Sequence, residues 1–292
     1  MKIKKLISAL VLGSMLVGLS GCNITDFSAE NLLRPPKAVG DEAEIEQLIA
    51  KTADSGYTLK YPKNGKFRSA IIMTDLDGND SNEAVAFFRN SVETSSVHML
   101  VMYSKDNSWK IASDNIFETT DIDSVDFADL TGNGKAEIIV NSTTYTPNVG
   151  KLSCYSYSEG KTNEVGSGQS CSSFVTGDFD NDGTSEIMSL VLYTTENEAL
   201  ASMLDYNEDS KSLYAKAMAN MDPNVVKYKN IAVTKLDNDI TGIVVDGTSA
   251  NEVTNTQVIF YSRDLAILRN PLFKEKAKNI TQRSSQVICS DI

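Results

Sequence analysis

A nine-residue acidic segment recurs along this chain, each time directly before an apolar run. Its fullest copy is Asp178-Phe179-Asp180-Asn181-Asp182-Gly183-Thr184-Ser185-Glu186, followed by Ile187 to Leu192. Oxygen-bearing side chains stand at positions 1, 3, 5 and 9, and glycine at 6. Alternate oxygen donors around a glycine that turns the backbone suit a hard cation such as calcium. Two further copies align without gaps: Asp75 to Glu83 before Ala84 to Phe88, and Asp129 to Glu137 before Ile138 to Val140. A fourth, decayed copy runs from Lys235 to Ile243. The first positions, 75, 129, 178 and 235, are 54, 49 and 57 residues apart, a spacing that fits one structural unit per repeat.

Between the acidic segments the residues alternate apolar and polar. The first unit offers Ala84 to Phe88, then Val97 to Tyr103, then a polar turn at Lys105 to Asn107, then Ser108 to Ala112. The second offers Leu152 to Tyr157 with a turn at Ser158 to Lys161. The third offers Ala201 to Tyr206, a turn at Asn207 to Lys211, and Ser212 to Ala215. The fourth offers Gln257 to Tyr261 and a turn at Ser262 to Asp264. Period-two alternation with tight polar turns reads as antiparallel hairpins. The strand entering the next acidic segment is taken as the fourth of each unit. Four short strands per unit make an all-β chain, a β-propeller of four-stranded blades over residues 57–292.

The end of the chain keeps this register. Ser285 to Ile292 resembles Ser69 to Leu76, and Asp291 falls 56 residues after Lys235, where a fifth acidic segment is due. The expectation is four units plus the opening of a fifth, in a fragment or an early-terminated product.

The start of the chain reads as a processing signal. Lys2, Lys4 and Lys5 precede an apolar stretch from Leu6 to Val17, and Leu19-Ser20-Gly21-Cys22 closes it with small residues before a cysteine. The stretch is too short for a comfortable membrane span. Leu-Ser-Gly-Cys resembles the bacterial lipobox, which implies cleavage after residue 21 and diacylglycerol on the Cys22 sulfur. Residues 22–40, with Pro35, Pro36 and Gly40, read as a tether. Residues 41–56 read as a short helix, capped by Asp41, running to about Ala53, with Ile45, Leu48 and Ile49 on one face.

Removing residues 1–21 takes away three lysines and no acid, so the formal charge goes from −12 to −15. That acidity argues against nucleic acid as a partner and against electrostatic binding to anionic lipid. Cys154 and Cys171 either pair, as an exported chain permits, or remain thiols. Cys289 reads as a small buried residue, and no Cys/His cluster suggests zinc. The one histidine, His98, lies in an alternating strand without a nucleophile elbow and reads as a strand residue rather than a base. Gly166-Ser167-Gly168 reads as a turn. Trp109 and the eleven tyrosines read as strand packing.

The acidic segments before strands resemble the FG-GAP or VCBS repeat, the blade of the integrin α-chain head, over residues 66–292. The closing Glu at position 9, with strands following, separates them from EF-hand loops, which close at position 12 between helices. The resemblance implies calcium held by positions 1, 3, 5 and 9 with the carbonyl of position 7. Carried over, the third loop supplies Asp178, Asp180, Asp182, Glu186 and the Thr184 carbonyl. The first supplies Asp75, Asp77, Asn79, Glu83 and the Ser81 carbonyl. The second supplies Asp129, Thr131, Asn133, Glu137 and the Lys135 carbonyl. Carboxylate number ranks their expected affinity third, first, second, with the fourth copy empty because Lys235 replaces its first ligand. The expected function is a calcium-binding, lipid-anchored binding or adhesion module at the cell envelope. Its ligand would be a polysaccharide or a protein. A polysaccharide-active propeller and a purely structural envelope component are the alternatives.

Overall fold

The computed structural model describes residues 40–54, 56–193, 196, 198–237 and 240–269. The stretches read above as a signal, as most of a tether and as the opening of a fifth repeat, with Cys22 and Cys289, lie outside them. Two compact units divide the chain, Met1–Ala43 and Glu44–Ile292. Helix α1 spans Asp41–Ala53, and Gly40 precedes it at φ 64°, its carbonyl accepting the Ala43 N–H at 3.1 Å. Everything below concerns the second unit.

The chain from Tyr57 onward is built from strands. Sheet A contains β1 (Tyr57–Leu59), β2 (Ile71–Thr74), β3 (Glu83–Asn90), β4 (Val97–Lys105) and β5 (Ser108–Phe117). Strands β1 and β2 lie one after the other along the same edge of β3, opposite residues 88–90 and 83–86, so the sheet is four strands wide. Sheet B contains β6 (Ile122–Ala128), β7 (Glu137–Thr143), β8 (Gly150–Ser158) and β9 (Lys161–Cys171). Sheet C contains β10 (Ser173–Gly177), β11 (Glu186–Tyr193), β12 (Glu198–Asn207) and β13 (Ser212–Asn220). Sheet D contains β14 (Val225–Asp237), β15 (Ile240–Ser249), β16 (Thr254–Tyr261) and β17 (Leu265–Arg269). All pairings are antiparallel and join neighbours in the order given, except that β1 and β2 both pair with β3.

The boundary between repeat units falls elsewhere than the sequence reading put it. The strand entering an acidic segment opens a new sheet instead of completing the old one: β6 pairs with β7, and not with β5. Each acidic segment is therefore a hairpin connection within its own sheet, between β2 and β3, β6 and β7, and β10 and β11. Gly166-Ser167-Gly168 is also corrected. It lies within β9, where Gly168 (φ 91°) is skipped in the ladder between Ser167 and Gln169, a bulge rather than a turn.

The second strand of each sheet is apolar on both faces because it serves two cores. In β7, Ile138 and Val140 join Val85, Phe87 and Met99 of sheet A, while Ile139 joins Leu204 and Leu213 of sheet C. In β11, Met188 and Leu190 join Ile243 and Ile259 of sheet D. Sheets touch in chain order. β6, β10 and β14 meet along one side, and β5, β9, β13 and β17 along the other. The face of sheet A turned away from sheet B carries Ala84, Ala86, Phe88 and Leu100, and α1 covers it with Ile45 and Ile49. The Glu44 carboxylate accepts the backbone N–H of Trp109 at 3.0 Å and ties the helix to β5.

Three expectations settle here. Trp109 packs in that core at 6% exposure, whereas Tyr61, Tyr145 and Tyr214 are exposed and depart from the packing expectation. His98 is buried at 5%, stacked on Phe88, with Nδ1 at 2.9 Å from Asp114. Cys154 and Cys171 are free thiols: the ladder sets Cys154 opposite Gly166 and Cys171 opposite Gly150, well apart along β8 and β9.

Candidate functional site

The three acidic loops fold alike, and the reason is local. The position-1 carboxylate accepts backbone N–H groups from the turn it encloses. Asp75 takes Gly78 (2.8 Å), Asn79 (3.2 Å) and Asp80 (2.9 Å). Asp129 takes Asn133 (3.1 Å) and Gly134 (2.7 Å), and Asp178 takes Asp182 and Gly183 (both 3.1 Å). The position-5 side chain accepts the N–H of position 7: Asn79 from Ser81, Asn133 from Lys135, Asp182 from Thr184. These are Asx turns in series.

Two backbone positions in each loop are left-handed. Position 6 holds Asp80 (φ 66°), Gly134 (φ 80°) and Gly183 (φ 93°). Position 4 holds Gly78 (φ 73°), Gly132 (φ 70°) and Asn181 (φ 61°). Glycine, asparagine and aspartate are the residues that tolerate this region. The role of position 4 escaped the sequence reading, although Gly, Gly and Asn stood there as its signal.

The position-9 glutamate begins the following strand and turns back. Oε2 of Glu83, Glu137 and Glu186 accepts the N–H of Leu76 (2.9 Å), Leu130 (2.8 Å) and Phe179 (2.8 Å) respectively. The position-2 side chains are buried, at 0%, 2% and 2% exposure, and pin the loop to the sheet. Burial pushes all three glutamates above the usual carboxylate range. Glu137 goes to about 7 and Glu186 to about 8, with the neighbouring aspartates adding to burial, while Glu83 is raised by burial with Asp77 and Asp75. Two aspartates go the other way. Burial works against the Asp75 charge, and the N–H groups of Asp80, Gly78 and Asn79 outweigh it. Thr184 holds Asp182 low through its hydroxyl and N–H.

The carboxylates converge. One oxygen from each of Asp178, Asp180, Asp182 and Glu186 lies within 4.8 Å of the others, and the same holds for Asp75, Asp77 and Glu83. In the first loop, Oδ1 of Asp77 is buried and has no hydrogen-bond partner. A buried acceptor without a donor, beside two more carboxylates, is the arrangement a cation satisfies. The second loop gathers Asp129 and Glu137, with the Thr131 hydroxyl 3.3 Å from Glu137 Oε1. The fourth copy is not such a loop. Lys235 pairs with Thr241 and Asp237 with Ile240 in the β14–β15 ladder, and Asn238 and Asp239 lie outside the described residues.

One charged residue here was invisible as a site residue from the sequence. Lys216, on β13, bonds Oδ2 of Asp180 and lies 2.8 Å from Oδ2 of Asp205. Burial opposes its charge, but the two carboxylates outweigh that and raise its pKa.

A second feature is a cavity of about 1320 Å³ lined by β6, β10 and β14 and by residues 63–66, 144 and 146–150. Its acids are engaged: Asp121 by Lys60 and Lys63, Asp123 by Asn64, and Asp126 by Thr176. Lys227 and Lys229 also line it and are exposed. No described helix is long and apolar enough to cross a membrane. Neither a family model nor a curated protein matches this chain.

Proposed function

We propose that this chain is a calcium-braced β-propeller that acts as a binding or adhesion module at the cell envelope, held there by diacylglycerol on Cys22. The observation that carries the ion is the repeated convergence of carboxylates, with Asp77 Oδ1 left without a donor inside the first loop. Asp75, Asp77 and Glu83, with Asn79 and the Ser81 carbonyl, would hold one calcium. Asp178, Asp180, Asp182 and Glu186, with the Thr184 carbonyl, form the corresponding set in the third loop. Asp129, Thr131, Asn133 and Glu137, with the Lys135 carbonyl, form it in the second. The cation supplies positive charge among acids that otherwise repel, and its binding energy adds to the stability of the folded chain.

Support for the propeller comes from the order of contacts. Among the described residues the main contacts between four-stranded meanders are with neighbours in sequence, chiefly first strands against first strands and last against last. Radial stacking of blades has this pattern. The first strands then face the axis, and the polar cavity among β6, β10 and β14 is where a polysaccharide or protein ligand would meet hydroxyl, amide and ammonium groups.

Thermal melts of the full chain in calcium and in chelator, beside Asp77→Ala, test the ion. Calcium should raise the melting temperature, and the variant should lose much of that rise. A cooperative melt indifferent to calcium would reduce the loops to polar turns. Binding to an array of glycans, with and without calcium, tests the ligand class.

A further inference from the structure

Carboxylate number ranks the third loop first for calcium. Lys216 reverses that ranking. It sits at a β-bulge: Ala215 pairs with Leu204 and Ala217 with Met203, so Lys216 is the extra residue of β13. Sheets A and B have a bulge at the same place. Ile111 and Ser113 pair with Met102 and Val101 around Ala112, and Glu164 and Gly166 pair with Tyr155 and Cys154 around Val165. Ala112 and Val165 each pack into the core between sheets. The third sheet puts an ammonium where the other two put an apolar group.

The partner acid is specific to this sheet as well. Asp205 stands one pair beyond the bulge, opposite Tyr214, where sheets A and B have Tyr103 and Ser156. Lys216 Nζ bonds Asp180 and Asp205 together and lies 5.9 Å from the ring centre of Tyr261 in sheet D. The ammonium is thus held from three sides, against one of the four carboxylates that gather in the third loop. In the first loop no Lys or Arg pairs with Asp75, Asp77 or Glu83 among the described ion pairs, and Asp77 keeps a buried oxygen without a donor.

We propose that Lys216 is the resident counter-ion of the third loop, and that the first loop is therefore the principal calcium site. The ammonium neutralises Asp180 and repels a divalent ion brought beside it, so the third loop keeps its shape with little need of calcium. This rests on reading the loops as calcium sites.

Calcium binding to the full chain, measured by equilibrium dialysis, separates the two claims. The wild type should hold a calcium that Asp77→Asn removes and Asp182→Asn does not. Lys216→Met and Lys216→Gln should bind at the third loop about tenfold or more tighter than the wild type, and adding Asp182→Asn should cancel that gain. Lys216→Arg, which keeps the charge, should behave as wild type. If Asp182→Asn alone removes the tightest calcium, or if neither neutral variant gains affinity, Lys216 is not the counter-ion although the loops still bind. If no variant and no wild type binds calcium, the calcium reading falls and this inference with it.

Discussion

The backbone N–H of Ser185 donates to the carbonyl oxygen of Asp129 at 2.9 Å, which hangs the third acidic loop on the second. One repeat earlier the N–H of Ala136 donates to the carbonyl of Leu76 at 3.0 Å and hangs the second loop on the first. In both cases position 8 of one loop reaches the opening residues of the loop before it. The loops are therefore mechanically in series, although each is folded by its own side chains.

A change in the second loop should be felt in the third. Asp129→Ala removes the acceptor of two loop N–H groups, and such losses cost about 1–3 kcal/mol. The expected result is a lower melting temperature together with faster hydrogen exchange at the Ser185 amide, which lies in the next loop. Unchanged exchange at Ser185 would mean that the loops are independent.

Without calcium, stability should fall as pH rises from about 5 to 8. Glu137 and Glu186 are raised to about 7 and about 8 in the fold, against 4.5 when exposed. The folded chain then holds more protons than the unfolded chain across that window. The stability these groups contribute is full below the unfolded value and is lost as pH climbs through the folded one. Each unit of difference corresponds to about 1.4 kcal/mol before screening. The lowered aspartates, Asp75 and Asp182, act only at lower pH and with the opposite sign. Urea unfolding in chelator at pH 5 and pH 8 measures the slope, and Glu186→Gln should flatten it. A chain more stable at pH 8 in chelator would contradict the burial of these carboxyls.

The acidic loops and the strand alternation were legible because both are local. A nine-residue loop carries its own Asx turns, and the alternation of Val97 to Tyr103 follows from a strand with two environments. The helix was legible from Ile45, Leu48 and Ile49 for the same reason. What the sequence hid depends on pairing. The β6–β7 partnership could not be told from a β5–β6 one by periodicity, since both read as neighbouring strands. The Lys216 bond to Asp180 joins residues 36 apart and exists because of a bulge, which leaves no mark in the alternation. The cavity among β6, β10 and β14 is assembled from residues more than a hundred positions apart.

Gly132 should resist replacement more than its exposed position suggests. Its φ of 70° strains any Cβ-bearing residue, and an added Cβ would lie 2.7 Å from Cγ2 of Thr184 in the next loop. Left-handed backbone alone costs roughly 1–2 kcal/mol for an L-residue. Gly132→Ala should lower stability by at least that much in chemical unfolding. Gly134→Ala should cost the backbone term alone, because nothing stands within 4 Å of a Cβ there. Equal losses in the two variants would mean that Thr184 simply moves aside.

Cys154 and Cys171 should be chemically silent in the folded chain. Both are 0% exposed in the core between sheets B and C. Burial pushes the Cys171 thiol up to about 12, and it raises Cys154 too, with Glu137 adding to the effect. A thiol reacts as its thiolate, so at neutral pH neither should be modified. In a Cys22→Ser, Cys289→Ser background, a thiol-reactive dye should label no group in native buffer and two in denaturant without reductant. Two labels in denaturant establish free thiols, and none would mean that the pair had oxidised. Labelling in native buffer at the rate of global unfolding would further show that this core opens only when the whole chain does.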